Sequence, residues 1–342
     1  MTPLSIAYKS VTNLRNNMYD QGLLKSKKFD IPTIVVGNLS VGGTGKTPMI
    51  EYLIRLLSDN YQVAVLSRGY KRKEKGFLLA DENSTSQLIG DEPFQYHSKF
   101  KNIYVAVDAD RLNGIEQLLK LTPKPSVVLL DDAFQHRRLE GGYNILLTKH
   151  NNLYTKDLML PAGNLRESAK GAKRADLITV TKCPTSLTEK QQANIIDELN
   201  PTNKQTVFFT KISYSDTIEG NSKIKIEHLK NCEILLFTGI ADAKPLLEFL
   251  EEKQLQFKHI EFSDHCNYKA LDIARIQKEF EQLLSKNKLI LTTEKDYARC
   301  STEFSTLYYL PIECEFVNHT QKFDQTVLNY VASAQKTALN KD

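Results

Sequence analysis

Short apolar runs alternate with stretches of helical spacing along most of the chain, and this pattern predicts an α/β protein. The runs that have the length and composition of buried strands are residues 33–36, 63–66, 103–107, 127–130, 143–147 and 177–181. Helical spacing is found between several of them, at 48–57, 111–121 and 187–199. Apolar strands separated by helices are typical of a mostly parallel sheet with helices on both faces. We therefore predict such a sheet within a first domain, residues 31–212.

The pattern changes after residue 200 and predicts a second, smaller α/β domain. Residues 206–212 have the pattern of a strand, and the polar stretch 213–225 is expected to be a linker or hairpin. A new series follows, with strands expected at 234–238, 289–292 and 307–312 and helices at 243–253, 268–284 and from residue 320. We therefore expect a C-terminal α/β domain over residues 226–342.

Residues 4–19 have the pattern of an amphipathic helix that begins near Thr2 and Pro3. Its apolar positions are Leu4, Ile6, Ala7, Tyr8, Val11, Leu14, Met18 and Tyr19. Such a helix either packs on the body of the protein or lies in a membrane surface. The chain has no apolar run near the ~20 residues that span a bilayer, and Lys9 and Arg15 interrupt any secretory signal.

Charge is unevenly distributed, although the net charge of the 342-residue chain is only +4. This small net charge argues against a nucleic-acid partner. Basic residues nevertheless cluster at Lys9, Arg15, Lys25, Lys27 and Lys28, and again at Arg68, Lys71, Arg72, Lys73 and Lys75. Such clusters suit phosphate groups or anionic lipid heads, or form solvated faces. The cysteines contain no CxxC pair, which fits a reducing cytosol.

A glycine-rich motif follows the first predicted strand and precedes a predicted helix, which is the context of a P-loop. Its residues are Ser40, Val41, Gly42, Gly43, Thr44, Gly45, Lys46 and Thr47. Ser40 replaces the first glycine of the usual pattern. We expect the backbone to surround the phosphates of ATP, Lys46 to reach the β- and γ-phosphates, and Thr47 to bind Mg²⁺. The expected fold class is a P-loop NTPase-type, mostly parallel sheet with helices on both faces, plus a smaller C-terminal α/β domain.

Two acids follow the predicted strand 127–130, as in a Walker B motif. An acid at the carboxyl end of a parallel strand lies where α/β folds bind their ligands. Asp131 is therefore a candidate Mg²⁺ ligand, and Asp132 either shares that role or anchors the loop. A capping pair of aspartates after a strand is the alternative interpretation.

Further acids occur in Gly90–Pro93 and in the second domain. Asp91 or Glu92 is a candidate acceptor for the proton of a hydroxyl that receives a phosphoryl group, and Glu92 is a further candidate metal ligand. The same residues also suit the N-terminus of a helix, where acids are favoured by the dipole. Asp264 and His265 form a candidate acid–base pair.

An ordered set of segments gives the chain a specific resemblance to one enzyme family. The segments are Val36-Gly37-Asn38 through Lys46-Thr47-Pro48, Leu66-Ser67-Arg68-Gly69-Tyr70, Gly90-Asp91-Glu92-Pro93, Asp131-Asp132-Ala133-Phe134-Gln135-His136-Arg137-Arg138, Leu160-Pro161-Ala162-Gly163-Asn164-Leu165-Arg166-Glu167, Arg174-Ala175-Asp176, Phe262-Ser263-Asp264-His265 and Thr292-Thr293-Glu294-Lys295-Asp296. This set resembles the tetraacyldisaccharide 4′-kinases, the lipid A 4′-kinases of Gram-negative bacteria. Ala133 and Cys266 depart from the commoner residues of that family.

The resemblance implies that ATP phosphorylates the 4′-hydroxyl of a disaccharide 1-phosphate precursor of lipid A. It implies that Asp91 is the proton acceptor, with His265 as its partner across a domain cleft. The residues then expected to contact the substrate or phosphate groups are Arg68, Arg72, Arg111, Gln135 and Arg166. It also implies that region 1–30 rests on the cytoplasmic face of the inner membrane, so that the enzyme is peripheral, and no protein partner is inferred.

Two other functions compete with this interpretation. A soluble P-loop ligase that activates a small carboxylic acid, similar to dethiobiotin synthetase, would show no membrane affinity and no need for His265. A nucleotide-switch or metal-insertion GTPase would prefer guanine, but no aspartate follows Thr181-Lys182-Cys183 as a base-reading loop requires. Turnover of ATP against GTP, with and without a lipid-linked disaccharide, discriminates between these functions.

Overall fold

The computed structural model describes residues 3–70, 72, 74–264 and 266–339, which form two compact units. The first unit is Met1–Ile212 together with Cys314–Asp342, and the second unit is Ser213–Glu313. The strands, in chain order, are β1 (Thr33–Asn38), β2 (Val63–Ser67), β3 (Leu78–Leu79), β4 (Tyr104–Val107), β5 (Val127–Asp131), β6 (Tyr143–Lys149), β7 (Leu177–Thr181), β8 (Thr206–Tyr214), β9 (Thr217–Gly220), β10 (Ile224–Lys225), β11 (Glu233–Thr238), β12 (Gln256–Glu261), β13 (Lys288–Thr293), β14 (Tyr308–Leu310) and β15 (Ile312–Phe316).

The helices occur between and after these strands. In chain order they are α1 (Pro3–Asp20), α2 (Lys46–Leu57), α3 (Ser86–Ile89), α4 (Asp91–Lys99), α5 (Arg111–Leu118), α6 (Glu189–Leu199), α7 (Lys244–Glu252), α8 (Ala270–Glu281), α9 (Glu294–Cys300) and α10 (Thr320–Leu339). Short 3-10 helices cover Ala169–Arg174, Ile226–Leu229 and Ser301–Glu303.

The first unit contains a mostly parallel sheet in the order β15-β8-β7-β6-β1-β5-β2-β4-β3. The strands from β8 to β4 are parallel to their neighbours, and β3 is antiparallel at the edge. Alternate residues of β1 enter two different cores: Ile34 and Val36 pack with α2, α4 and α10, whereas Val35 packs with α5 and α6. Helices therefore cover both faces of the sheet, and the predicted fold class is confirmed.

The second unit has its own sheet, in the order β10-β9-β14-β13-β11-β12. The strands from β14 to β12 are parallel, whereas β9 is antiparallel to both of its neighbours. One face packs with α7 through Leu246 and Leu250, and the other packs with α8 through Ile273 and Ile276. This unit is therefore a smaller α/β layer structure in its own right.

The unit boundaries differ from the predicted domains in three places. Region 1–30, predicted as separate, belongs to the first unit. The predicted linker 213–225 belongs to the second unit, because it forms the antiparallel pair β9 and β10. The predicted domain 226–342 ends too late: residues from Cys314 onward belong to the first unit, since α10 buries Phe323 and Val327 in one of its cores.

The run 307–312, predicted as a single strand, is divided between two sheets. Pro311 separates β14 from β15 and has no N–H to offer a sheet ladder. Its carbonyl instead accepts a hydrogen bond from the Ser215 N–H at 3.0 Å. The chain therefore leaves the second sheet at Pro311 and enters the first.

Candidate active site

The P-loop lies where β1 gives way to α2, at the carboxyl end of the parallel strands. Gly45 precedes the helix with φ +84° and Gly42 has φ +94°, a left-handed conformation that favours glycine. The first residues of α2 are Lys46, Thr47 and Pro48, so that the partial positive charge of the helix N-terminus points into the loop. This geometry is suited to binding a phosphate group.

The segment 159–166 holds the P-loop in place through main-chain contacts. The Val41 N–H donates to the Asn164 carbonyl at 2.8 Å, and the Arg166 N–H donates to the Leu39 carbonyl at 2.7 Å. Ser40 forms an isolated bridge with Leu165. Two of the segments that carry the family resemblance are therefore in direct contact in the fold.

The end of β7 supports the same loop from another side. The Thr181 hydroxyl donates to the Thr44 carbonyl at 2.8 Å, and the Asn38 amide donates to the Thr44 hydroxyl at 2.7 Å. The Lys182 ammonium lies about 4.0 Å from where a side chain on Gly43 would begin. Sequence reasoning gave Lys182 no role here, because nothing in the chain order shows that β7 ends beside the P-loop.

Asp132 contacts both Lys46 of the P-loop and Arg166 of the segment 160–167. Its carboxylate accepts two hydrogen bonds from the Arg166 guanidinium, at 2.7 and 3.0 Å, and lies 3.7 Å from the Lys46 ammonium. Burial alone would raise the pKa of this carboxyl, but Lys46 and then Arg166 outweigh it and hold the pKa below its usual value. Asp132 therefore remains ionised between two cations.

Asp131 has a different environment. Burial, followed by repulsion from Asp132, raises the pKa of this carboxyl to about 7, against the lowering effect of Lys46. The Ser67 hydroxyl donates to the carboxylate at 3.2 Å. A cation bound at this carboxylate would relieve the cost of ionising it, as expected for a metal ligand.

Asp91 and Glu92 are the first two residues of α4, as the helix N-terminus interpretation requires. Gly90 before them has φ +96°, and a side chain there would begin 3.4 Å from both the Gly69 Cα and the Tyr70 carbonyl. The loop after β2 therefore packs on the start of α4, and the positive φ at position 90 favours glycine there.

Helix α4 is tied to the P-loop helix by a buried ionic cluster. The Glu51 carboxylate, on α2, accepts hydrogen bonds from the Gln95 amide and the Lys99 ammonium, both at 2.7 Å. Arg55 lies 3.6 Å from the same carboxylate. Because charges buried in this way are costly unless paired, the cluster fixes how the two helices lie against each other.

The residues predicted to contact substrate have different surroundings. The Arg68 side chain is exposed, whereas Arg72 donates to the main-chain carbonyls of Val107 and Gly76 and thereby holds its own loop. Arg111 donates to the carbonyls of Asp108 and Asp131, and burial lowers its pKa to about 10. Both Arg72 and Arg111 thus have main-chain partners within the protein.

Glu167 connects several segments and has no role in the sequence-based prediction. It is buried, and its carboxylate accepts hydrogen bonds from Arg174 at 2.8 Å, from Asn16 at 2.9 Å and from Gln135 at 2.9 Å. The Gln135 amide also donates to the Asn38 carbonyl at 2.7 Å. Gln135, predicted to contact the substrate, is therefore part of the network that supports the end of β1.

His265, predicted as the partner of Asp91, lies outside the described residues. Asp264 belongs to the second unit and follows β12. In the same unit the segment 292–296 has a clear structural function. Asp296 is fully buried, accepts a hydrogen bond from the Gly239 N–H at 2.8 Å, and pairs with Arg299 at 3.1 Å.

Helix α1 contacts the first unit with polar groups and exposes its apolar ones. The Tyr8 hydroxyl donates to the Arg166 carbonyl at 3.0 Å, and the buried Ser5 hydroxyl accepts from the Ala162 N–H at 3.2 Å. The apolar side chains that face solvent include Leu4, Ile6, Val11 and Leu14, which are 54–71% exposed. The helix therefore packs on the body of the protein and presents an apolar face at the same time.

Comparison with known proteins identifies the family. The sequence model of tetraacyldisaccharide-1-P 4′-kinase, LpxK, matches residues 1–332. The chain belongs to this family. The tetraacyldisaccharide 4′-kinase of Flavobacterium johnsoniae is 51% identical over 332 residues, which cover 96% of each chain. That of Bacteroides thetaiotaomicron is 45% identical and covers 96% of this chain and 92% of the relative.

A solved structure shows the same fold. LpxK from Aquifex aeolicus, crystallised in complex with ATP, superimposes with a TM-score of 0.77 at 31% identity, covering 96% of this chain and 98% of that chain. The resemblance to the tetraacyldisaccharide 4′-kinases is thus confirmed, and the protein is a kinase. Within the described part of the chain, no helix is long and apolar enough to cross a membrane.

Proposed function

We propose that this chain transfers the γ-phosphate of ATP to the 4′-hydroxyl of a tetraacyldisaccharide 1-phosphate, a step of lipid A biosynthesis. The observation that carries the proposal is the P-loop facing Asp131 and Asp132, in a chain that matches the 4′-kinase family over residues 1–332. The ATP named in the Aquifex aeolicus structure supports the choice of nucleotide. The loop of residues 40–47 binds the phosphates through its backbone N–H groups.

The residues around the P-loop suit a magnesium ion. Thr47 supplies a hydroxyl and Asp131 a carboxylate, and oxygen donors of this kind are what Mg²⁺ prefers. Burial and the neighbouring Asp132 raise the pKa of Asp131 to about 7, and a bound cation would favour its ionised form. Thr47 and Asp131 would hold the ion, with Glu92 and Asp132 as further candidate ligands. The ion would supply positive charge that stabilises the negative charge of the phosphate groups during transfer.

Charge on the phosphoryl group is also neutralised by the protein itself. Lys46 reaches the β- and γ-phosphates, and its present contact with Asp132 at 3.7 Å keeps its ammonium at the mouth of the loop. Arg166 holds Asp132 through two hydrogen bonds and so positions that carboxylate. Arg68, Arg111 and Gln135 are further candidate contacts for the substrate, which is itself anionic.

Asp91 is the proposed proton acceptor. The 4′-hydroxyl oxygen bonds to the γ-phosphorus, the bond from that phosphorus to the β,γ-bridging oxygen breaks, and ADP leaves with the electron pair. The hydroxyl proton passes to the Asp91 carboxylate. His265 remains the predicted partner that orients this carboxylate.

Replacement of Asp91 by alanine tests this role. We expect kcat to fall by about 10²–10⁴-fold, the range of general-base contributions, with little change in ATP affinity. The matched control is Asp59→Ala at an exposed position. Steady-state kinetics and equilibrium ATP binding provide the two readouts, and an unchanged kcat would remove Asp91 as the base.

Helix α1 is proposed to lie on the cytoplasmic face of the inner membrane, where the acyl chains of the substrate are. The exposed Leu4, Val11 and Leu14 suit burial among lipid chains, and the basic residues 25–28 suit anionic head groups. A variant that combines Leu4→Ser, Val11→Ser and Leu14→Ser should bind liposomes more weakly, as measured by co-sedimentation. Equal binding would mean that this face has another function.

The decisive experiment follows a radiolabelled γ-phosphate from ATP onto a purified lipid-linked disaccharide 1-phosphate. We expect label in the 4′-phosphorylated lipid, and little transfer from GTP. Nucleotide hydrolysis that is independent of the acceptor would favour a switch GTPase or a soluble ligase instead.

A further inference from the structure

Tyr96 places a polar group inside the apolar core beside the candidate metal ligands. It lies on α4, five residues after Asp91, and is 0% exposed. Its ring packs in the core cluster that contains Met49 and Ile50 of the P-loop helix and Val36 of β1. Tyr96 therefore extends from α4, which begins with the candidate base Asp91, toward α2, which begins with Lys46.

The Tyr96 hydroxyl is buried and has no hydrogen-bond partner among the residues that the structure describes. The groups that act on it electrostatically are Asp131, Glu92 and Glu51, and Thr47 is its polar neighbour, although no hydrogen bond of normal geometry joins the two. A phenol hydroxyl can donate one hydrogen bond and also accept one.

An unpartnered buried hydroxyl is unusual and destabilises the folded protein. A purely apolar role would be served as well by phenylalanine, without that cost. The groups around the hydroxyl are the ones to which we assign the metal, Thr47, Asp131 and Glu92. Magnesium in nucleotide sites keeps several of its waters, and such waters need acceptors or donors from the protein.

We propose that Tyr96 is a positioning residue whose hydroxyl hydrogen-bonds to a water of the Mg²⁺ shell in the nucleotide complex. This inference rests on the proposed function, because it requires Mg²⁺ and ATP at the P-loop. No described residue hydrogen-bonds to this hydroxyl, and a water of the ion would supply the partner. Tyr96 then acts through the metal site and does not contact the reacting atoms.

The test compares Tyr96→Phe with Tyr52→Phe in the full chain. Tyr52 is a matched control, because it lies on α2 and its hydroxyl donates to Asp324 at 2.7 Å, away from the metal ligands. Binding of Mn²⁺, measured by electron paramagnetic resonance in the presence of a non-hydrolysable ATP analogue, should be about 3- to 10-fold weaker in Tyr96→Phe. Tyr52→Phe should bind Mn²⁺ as the wild type does.

Stability without metal provides the second readout, and it separates this role from a structural one. In EDTA, Tyr96→Phe should unfold at the same temperature as the wild type or higher, because no protein hydrogen bond is lost. Tyr52→Phe should unfold at a lower temperature, since it loses its bond to Asp324. Excess Mg²⁺ should restore much of the kinase activity of Tyr96→Phe.

Each contrary result has a defined meaning. Equal Mn²⁺ affinity of Tyr96→Phe and the wild type would overturn the inference and leave the proposed function intact. A large loss of stability or failure to fold in EDTA would also overturn it, because the hydroxyl would then serve the fold itself. If the wild-type nucleotide complex binds no Mn²⁺, the proposed metal site fails, and the role of Tyr96 fails with it.

Discussion

Each unit has a buried aspartate at or just after the carboxyl end of a parallel strand, and the surroundings of the two are opposite in character. Asp296 follows β13 in the second unit; it accepts hydrogen bonds from the Gly239 N–H at 2.8 Å and the Thr293 hydroxyl at 2.7 Å, and it pairs with Arg299. Asp131 ends β5 in the first unit; the Ser67 hydroxyl donates to it at 3.2 Å, and its neighbour in the chain is another aspartate.

The difference distinguishes a carboxylate whose charge is compensated within the fold, Asp296, from one whose charge burial disfavours, Asp131. The partners of Asp296 compensate its charge within the protein, and they connect the turn after β11 to α9. The pKa of Asp131 is instead raised to about 7, so the protein alone does not stabilise its charge. Perturbed acids of this kind concentrate at functional sites. The family membership of the chain is consistent with this division, since its nucleotide motif lies in the first unit.

The largest expected effect tests whether the charges around Asp131 serve catalysis. Lys46→Ala should reduce kcat by about 10³-fold or more, because the ammonium stabilises charge that develops during transfer. Thermal unfolding should change little, since its ion pair with Asp132 is long, at 3.7 Å. Lys211→Ala is the control, as Lys211 pairs with Glu315 at 2.9 Å on the surface of the same unit. Full activity of Lys46→Ala would rule out the P-loop assignment.

The next prediction exchanges each aspartate for its isosteric amide. Asp296→Asn should lower the free energy of unfolding by about 3–5 kcal/mol, because it leaves the Arg299 charge buried without its partner. Asp131→Asn should keep or increase stability in EDTA at pH 8, because it removes a carboxylate that burial and Asp132 disfavour. Urea unfolding measures both variants. Equal destabilisation by the two substitutions would contradict the comparison.

Prediction from the sequence succeeded for features whose residues are consecutive in the chain. A strand, a glycine-rich turn and a helix are consecutive in the chain, so the motif of residues 40–47 and the P-loop NTPase-type fold were both recognisable, and the fold is confirmed. The roles of individual site residues stay predictions. Glu167 had no local signal, because its partners Asn16, Gln135 and Arg174 are brought together only by folding.

Three features of the fold were not predicted from the sequence pattern: strand β12, the break at Pro311 and the unit to which α10 belongs. Strand β12, Gln256–Glu261, lies at the edge of the second sheet, and only one of its residues is fully buried, so it shows no apolar run. The division at Pro311 was missed because the apolar run continues across it, although a proline ends regular pairing there. The return of α10 to the first unit depends on contacts remote in sequence, which periodicity does not show.

The smallest expected effect concerns His136, a half-buried histidine near the candidate site of the first unit. Burial, followed by the Arg111 charge, lowers the pKa of this imidazole to about 4, while Asp110 opposes the shift. The folded protein therefore keeps His136 neutral at pH 5, whereas the unfolded chain protonates it below its usual pKa of about 6.5. Stability contributed by the neutral form is present above pH 6.5 and is lost as the pH falls toward 4.

Between pH 8 and pH 5 this histidine should lower the free energy of unfolding by about 2 kcal/mol. His136→Asn should remove that part of the pH dependence, whatever it does to stability at pH 8. The control is His228→Asn, at an exposed histidine in the second unit. Urea unfolding of the three proteins at both pH values tests this prediction. If His136→Asn loses as much stability on acidification as the wild type, the folded protein does not hold His136 in its neutral form.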